Sequence, residues 1–404
     1  MTLEDALRRE LRRLVDEGTY KAETLIASAQ GALVRVGDRD VVMLASNNYL
    51  GLASHPRIVD AAIRGIREFG YGVSSVRFIC GTLTIHRELE ELIAAFLGTG
   101  DSILFSSCYA ANEAFFASIV NESLGEADYK DVIYSDRLNH ASIIDGMRLC
   151  RSQSVDRKIY EHSDTRDLER QLGPDGASGY RFGFVATDGV FSMEGDLARL
   201  PELVRISRGA GGTLFVDDSH GVGVVGPTGR GTPEALGVHG QVPVLSGTLG
   251  KALGGAAGGY IAGDADLVSY LRQKARPYTF SNSLPPAIVM AAIESLRILS
   301  EDNHLIQKLA ENTTYFRRQI QSLGFRILEG THPIVPIMLG EAGVAKEMSR
   351  ALLGEGVYIR GLWYPVVPQG EARLRAQVSA ALDQTHLDQA LDAFERVGRR
   401  MQVI

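Results

Sequence analysis

Lys251 stands in the run Ser246-Gly-Thr-Leu-Gly-Lys251-Ala-Leu-Gly-Gly255, downstream of Val216-Asp-Asp-Ser-His220. A lysine among small residues just past a strand can reach a cofactor, because glycine lets a bulky group approach the backbone. An aspartate and a histidine that end an earlier strand can grip an aromatic ring. A tethered amine and an anchored carboxylate on one ring are the equipment of pyridoxal 5′-phosphate (PLP) chemistry. The amine forms a Schiff base, and Asp217 keeps the pyridine nitrogen protonated so that the ring withdraws electrons. Read alone, Lys251 is an exposed surface cation. That reading leaves Asp217 and His220 unexplained.

Other residues extend the constellation. Asn139-His140-Ala-Ser142 follows the apolar run Val132-Ile-Tyr-Ser135. A histidine there can lie flat on the pyridine face and, with a pKa near neutrality, move a proton. By itself it is an ordinary loop histidine. Ser106-Ser-Cys108-Tyr109 reads as a strand-to-helix turn, whose N–H groups at Cys108 and Tyr109 would meet a phosphate at a helix N-terminus. The hydroxyl of Thr248 is placed to join them, and His220 to hold the phenolic oxygen of the cofactor. Arg373-Leu-Arg375 puts two guanidinium groups on opposite sides of an extended strand. One of them can turn inward and clamp a substrate carboxylate through two parallel bonds. Asp218 reads as a cap. Two patterns mislead. The lysine run is no Walker loop, since Leu245 takes the first-glycine place and Ala252 that of the hydroxyl residue. Gly221-Val-Gly-Val-Val-Gly226 matches a dinucleotide fingerprint but runs into Pro227-Thr-Gly rather than a helix.

Positioning these residues takes a sheet. From residue 46 to 285 short apolar runs (101–107, 131–136, 180–188, 211–217, 242–247, 257–262) alternate with helical patterns such as 84–98, 111–121 and 198–209. That alternation predicts an α/β fold, a mostly parallel sheet with helices on both faces, and ligands gather at the carboxyl ends of such strands. Cys108, His140, Ser192, Asp217 and Lys251 all follow strand candidates. Residues 1–45 are expected to form an N-terminal arm, with an amphipathic helix over 2–17 stopped at Gly18. Residues 46–285 are expected to form the large PLP-binding domain and 286–404 a smaller α+β domain. The latter opens on Pro285-Pro286, carries strand candidates 325–329, 333–339 and 357–360, and ends in a helix over 385–401.

Bulk composition narrows the partners. The chain has 404 residues, 45% hydrophobic and 23% charged, with net charge −7. Neither nucleic acid nor an anionic membrane is a natural partner for that charge. Cys80, Cys108 and Cys150 are odd in number and lack metal-type spacing, so no metal is expected and a reducing compartment is. No signal-peptide pattern and no apolar run of spanning length stands out, so the expected location is the cytoplasm.

Taken together the motifs resemble the α-oxoamine synthase family of fold-type I PLP enzymes. The likeness runs through Asn47-Asn-Tyr-Leu-Gly51, Ser75-Val-Arg-Phe-Ile-Cys-Gly-Thr82, Leu138-Asn-His-Ala-Ser-Ile-Ile-Asp-Gly146, Thr187-Asp-Gly-Val-Phe-Ser192, Phe280-Ser-Asn-Ser283 and Tyr364-Pro-Val-Val-Pro368. The Arg-Phe-Ile-Cys-Gly-Thr form resembles the acetyltransferase branch more than the 8-amino-7-oxononanoate synthase branch. The resemblance implies a seven-stranded sheet and PLP bound by Cys108, Tyr109, His140, Ser192, Asp217, His220, Thr248 and Lys251. It also implies that Ser281 and Asn282 reach the phosphate of a neighbouring subunit, hence a homodimer with shared sites. Asn47 and Arg375 would hold the amino-acid carboxylate. The implied reaction condenses glycine with acetyl-CoA to 2-amino-3-oxobutanoate and CoA. Alternatives are a relative that takes a longer acyl thioester with alanine or serine, an aminotransferase, or a silent subunit of the same fold. Two departures from the family pattern, the longer stretch 121–131 and Leu382 where relatives carry histidine, bear on substrate choice.

Overall fold

The computed structural model describes residues 1–17, 19–122, 124–126, 128–173 and 179–404. The expected stop at Gly18 and two positions of the 121–131 stretch, Ser123 and Ala127, lie outside the described residues. An N-terminal helix, Leu3–Asp16, is opened by a reciprocal cap in which Thr2 Oγ1 accepts from Asp5 N–H and Asp5 Oδ2 from Thr2 N–H, both at 3.2 Å. No residue of this helix is buried. A hairpin follows, β1 (Leu33–Val36) and β2 (Arg39–Met43).

Among the described residues seven strands make the central sheet: β3 (Asp101–Phe105), β4 (Asp131–Asp136), β5 (Val155–Tyr160), β6 (Gly183–Asp188), β7 (Thr213–Asp217), β8 (Val244–Thr248) and β9 (Gly259–Gly263). Their order is β3-β9-β8-β7-β6-β4-β5, and only β9 runs antiparallel to its neighbours. β4, β6, β7 and β8 are almost wholly buried, as continuous apolar runs covered on both faces must be. β5 is the strand without an apolar run. It lies at the edge, buries only its two ends and exposes or half-exposes Asp156, Arg157, Lys158 and Ile159. The helical pattern expected at 111–121 instead starts at Cys108 and loosens into a π-turn over Phe116–Val120.

A second, antiparallel sheet is built from β10 (Ile334–Gly340), β12 (Arg360–Leu362) and β13 (Ala372–Gln377), with β13 in the middle. The short β11 (Val357–Tyr358) pairs with β2 instead. The stretch 325–329 is not a strand; it makes one bridge, Ile327 to Ile337. Leu382 is fully buried in the apolar cluster of this part, with Phe316, Leu374 and Phe394. Helix Pro286–Glu301 places Val289, Ile293 and Leu296 in the large cluster that also contains Leu89, Val216 and Leu253.

The segment after β7 is a closed turn rather than a nucleotide loop. Asp218, fully buried, accepts from Thr232 N–H (2.9 Å) and Thr232 Oγ1 (2.7 Å). Burial pushes its carboxyl up to about 7. Gly231 has φ +91°, and a Cβ there would sit 1.9 Å from Asp218 Oδ2. Gly231→Ala must therefore adopt a strained backbone and dislodge a buried, bonded carboxylate, costs of about 1–3 kcal/mol each. Urea titration should show an unfolding free energy lower by that sum and a correspondingly lower midpoint; an unchanged midpoint would show that the turn relaxes freely.

Candidate active site

Strand ends and one helix start converge on a cavity of about 210 Å³. Cys108 and Tyr109 come from the first turn of helix Cys108–Phe115, and His140 from the turn after β4. Ser192 follows β6, Asp217 ends β7, and His220 lies in the turn beyond it. Thr248 ends β8, with Lys251 in the turn beyond. The helix can start this close to the sheet because β9 carries Gly259, where a Cβ would stand 2.2 Å from Cys108 N. Ser281 and Asn282 lie apart, in a shallow depression with Arg77, Ser106 and Tyr278.

Asp217 is anchored rather than free. Its Oδ2 accepts from Asn112 Nδ2 (2.7 Å) and its Oδ1 from Ser219 N–H (3.0 Å). Asn112 also donates to Ser142 Oγ (2.8 Å), which in turn is 2.8 Å from His140 Nδ1. Nδ1 also receives Ser142 N–H (3.2 Å), so it is the acceptor nitrogen and the hydrogen-bond network assigns the ring proton to Nε2. The backbone N–H of His140 donates to Asp188 Oδ2 (2.9 Å). Burial, helped by the charge of Asp217, raises the Asp188 carboxyl well above its ordinary range. Although the residue is exposed overall, desolvation by the cavity wall lowers the His140 pKa from its ordinary value.

On the other side, His220 Nδ1 is 2.9 Å from the hydroxyl of Tyr49, which is itself fully buried. The carbonyl of His220 accepts from His332 Nε2 (2.9 Å), whose Nδ1 accepts Ile334 N–H (3.0 Å). Desolvation pushes His332 down to about 3 and His220 well below its usual value. Both rings are neutral. Burial likewise lowers the Lys251 pKa, against the opposing pull of Asp217. The same desolvation raises the Cys108 thiol, so that S–H persists beside Asp217 and Ser219.

The two arginines of β13 divide their work. Arg373 is fully buried and engaged through all three of its nitrogens: it donates to Glu371 O (3.0 Å), Glu371 Oε2 (2.8 Å), Met193 O (3.1 Å) and Glu194 Oε1 (3.3 Å). Arg375 donates from Nη2 to Asn47 Oδ1 (3.2 Å), while its Nε is buried with no partner among the described residues. Arg375 thus keeps spare donors. Asn47 lines a cavity of about 450 Å³ with Gly250, Tyr358 and Arg360. Tyr358 and Arg360 also border a cavity of about 610 Å³ lined by Tyr20, Lys21 and Trp363.

Asn112, Tyr49 and His332 carry no chemical signature in sequence. They act through hydrogen bonds to residues more than 100 positions away along the chain, so only the folded arrangement reveals them.

The family model for aminotransferase class I and II matches residues 39–394. A 2-amino-3-ketobutyrate coenzyme A ligase of Bos taurus, named mitochondrial, is 46% identical over 399 residues, covering 98% of this chain and 92% of its own. The chain belongs to the α-oxoamine synthase branch of this family. An 8-amino-7-oxononanoate synthase of Thermoanaerobacter pseudethanolicus is 43% identical over 99% of this chain and 98% of its own. Among solved structures, a serine palmitoyltransferase from S. paucimobilis with bound PLP–myriocin aldimine matches this α-oxoamine synthase with a TM-score of 0.90. Its identity is 29%, over 99% of this chain and 98% of that one.

Proposed function

We propose that the chain binds PLP in the cavity around Lys251 and condenses glycine with acetyl-CoA to 2-amino-3-oxobutanoate and CoA. The observation that carries the proposal is a half-buried amine, Lys251, sharing one cavity with a carboxylate fixed on two sides, Asp217. The cavity fits the cofactor. The first-turn N–H groups of Cys108 and Tyr109 have no intrahelical partner to accept them, and they face a wall with the Thr248 hydroxyl. The rings of His140 and His220 suit an aromatic guest and its phenolic oxygen, with Ser192 beside them. When bound, PLP supplies an electron sink that acidifies the α-proton of an attached amino acid.

The protein's own residues do the rest. Arg375, with Asn47, holds the glycine carboxylate through its spare donors. Lys251, its pKa lowered by desolvation, is the amine that takes the α-proton and can return it. Asp217 holds positive charge on the ring nitrogen, and Asn112 and Ser219 keep that carboxylate from turning away. His140 Nε2–H is the donor available to a developing oxyanion. The two outer cavities joined at Tyr358 and Arg360 give a CoA thioester a path to Asn47. We read residues 1–45, 46–285 and 286–404 as arm, cofactor domain and small domain. No described helix is long and apolar enough to cross a membrane, and a cytoplasmic location fits the composition.

A homodimer accounts for otherwise unexplained surface. Tyr71, Phe78, Ile79 and Phe280 are each at least 65% exposed, and Val76 bridges to Asn282 beside them. Leu3, Leu7, Leu11 and Val15 of the first helix are exposed as well. A second copy covering these faces would bring Ser281 and Asn282 to the phosphate of its site.

Purified protein loaded with PLP and offered a panel of amino acids and thioesters tests the reading. Fastest CoA release is expected with glycine and acetyl-CoA. Preference for a longer thioester with alanine or serine would favour the second reading, which the 8-amino-7-oxononanoate synthase relative keeps open. In the same assay Arg375→Lys should raise the KM for glycine about 10- to 100-fold, the worth of one lost charge-assisted bond. An unchanged KM would remove Arg375 from the carboxylate site.

A further inference from the structure

Two segments bring side chains to the cavity from neighbouring strands: the turn after β4, with His140, and the segment after β6, with Ser192. His162, in the turn after β5, lies between them. Its Nδ1 is 3.0 Å from Asp136 Oδ1 and its Nε2 is 3.0 Å from Asp196 Oδ2. A neutral imidazole has one N–H and can satisfy only one such carboxylate; a ring flanked at both nitrogens donates from both and is an imidazolium. The edge of its ring meets Phe191 at 4.3 Å between centroids, one residue before Ser192.

Each aspartate is tied into one of the two segments. Asp136 Oδ1 also accepts Leu138 N–H (2.9 Å), two residues before His140, and its Oδ2 accepts Ser163 N–H (2.8 Å). The Asp196 carbonyl accepts Phe191 N–H (3.0 Å), closing the loop that carries Ser192. The cation therefore stands where the two loops meet on the β5 side, and adds a second tie to the one that His140 N–H makes to Asp188 Oδ2 at the end of β6 (2.9 Å).

We propose that His162 is a positioning residue: as an imidazolium clasped by Asp136 and Asp196, it fixes the His140 turn against the Ser192 segment, and loss of its proton loosens the cofactor cavity at alkaline pH. The proposal rests on the reading of that cavity as the PLP site. Among the described residues Glu194, on the Asp196 segment, also acts on the ring, and Glu194 in turn pairs with Arg373 of β13. Glu194 adds to the negative field and Arg373 offsets part of it. Burial opposes the charge on His162, but the two carboxylates outweigh it and carry the pKa up to about 10. The folded value lies above the unfolded one near 6.5. The stabilisation is then complete below about pH 6.5 and is lost as pH rises toward 10.

The test compares wild type, His162→Gln and His162→Lys by two measurements: thermal unfolding of the PLP-free protein from pH 6 to 10.5, and the Kd for PLP at pH 7 and pH 10.5. Wild type should lose Tm across the upper half of that range and bind PLP about tenfold more weakly at pH 10.5. His162→Gln should show the weaker binding already at pH 7 and lose the His162-dependent part of the Tm slope; His162→Lys should restore much of the pH 7 affinity. Asp196→Asn, at a half-exposed position, should move the wild-type transition at least one pH unit lower, and it serves if His162→Gln does not fold. An identical Kd and identical Tm slope in wild type and His162→Gln would overturn the proposal, as would an unmoved transition in Asp196→Asn. If wild type itself bound no PLP, the cofactor reading would fail instead, while the Tm arm would still report the charge on His162.

Discussion

Lys251→Ala is expected to abolish condensation while leaving the fold intact. The amine lines the cavity yet makes no hydrogen bond or ion pair among the described residues. Its removal strands no partner, so the thermal midpoint should stay near that of wild type. Activity has no such protection. A positioned base contributes about 10²–10⁴ in rate, and the lysine also sets the geometry in which the amino acid is presented. We expect a loss of at least about 10³-fold in kcat. Rates and unfolding curves from one preparation decide the matter: a variant keeping a tenth of wild-type turnover would remove Lys251 from the chemistry.

Asp217→Asn should be nearly as damaging, for a different reason. The substitution keeps the shape but removes the charge, and at least one of its atoms must face a donor with a donor, since Asn112 Nδ2 and Ser219 N–H both point at the carboxylate. Loss of a charge-assisted bond and a mismatched buried amide together amount to about 3–5 kcal/mol, or roughly 10²–10⁴-fold in kcat. A second signature accompanies it. Asp217 is the largest influence holding the Lys251 pKa up, so without the charge that pKa falls further and the acid limb of the rate profile moves to lower pH. A normal kcat, or an acid limb moved upward, would contradict the assignment.

How much of this was legible before folding follows from range. Lys251, Asp217, His220 and His140 could be read because each follows a continuous apolar strand, and strand ends in a parallel sheet converge. β5 escaped because an edge strand needs no apolar run; its Asp-Arg-Lys core resembles a loop. The β1–β2 hairpin escaped for a related reason, being short and half exposed. The alternation of Arg373 and Arg375 showed that one would face inward, but not that Arg373 would be consumed by Glu371, Glu194 and Met193. Leu382 reads as a pocket change in sequence and is core packing in the structure. Asn112, Tyr49 and His332 were beyond reach, since a long-range hydrogen bond leaves no periodic trace.

Arg373 has a mechanical consequence. On one side Arg373 holds Met193 O and Glu194 of the segment that also carries Ser192, and on the other Glu371 beside its own strand. Removing a buried guanidinium from such partners costs about 3–5 kcal/mol. Arg375 stands two residues along the same strand, so the grip on the amino-acid carboxylate and the far wall of the cavity are stitched together by a single side chain that touches neither guest.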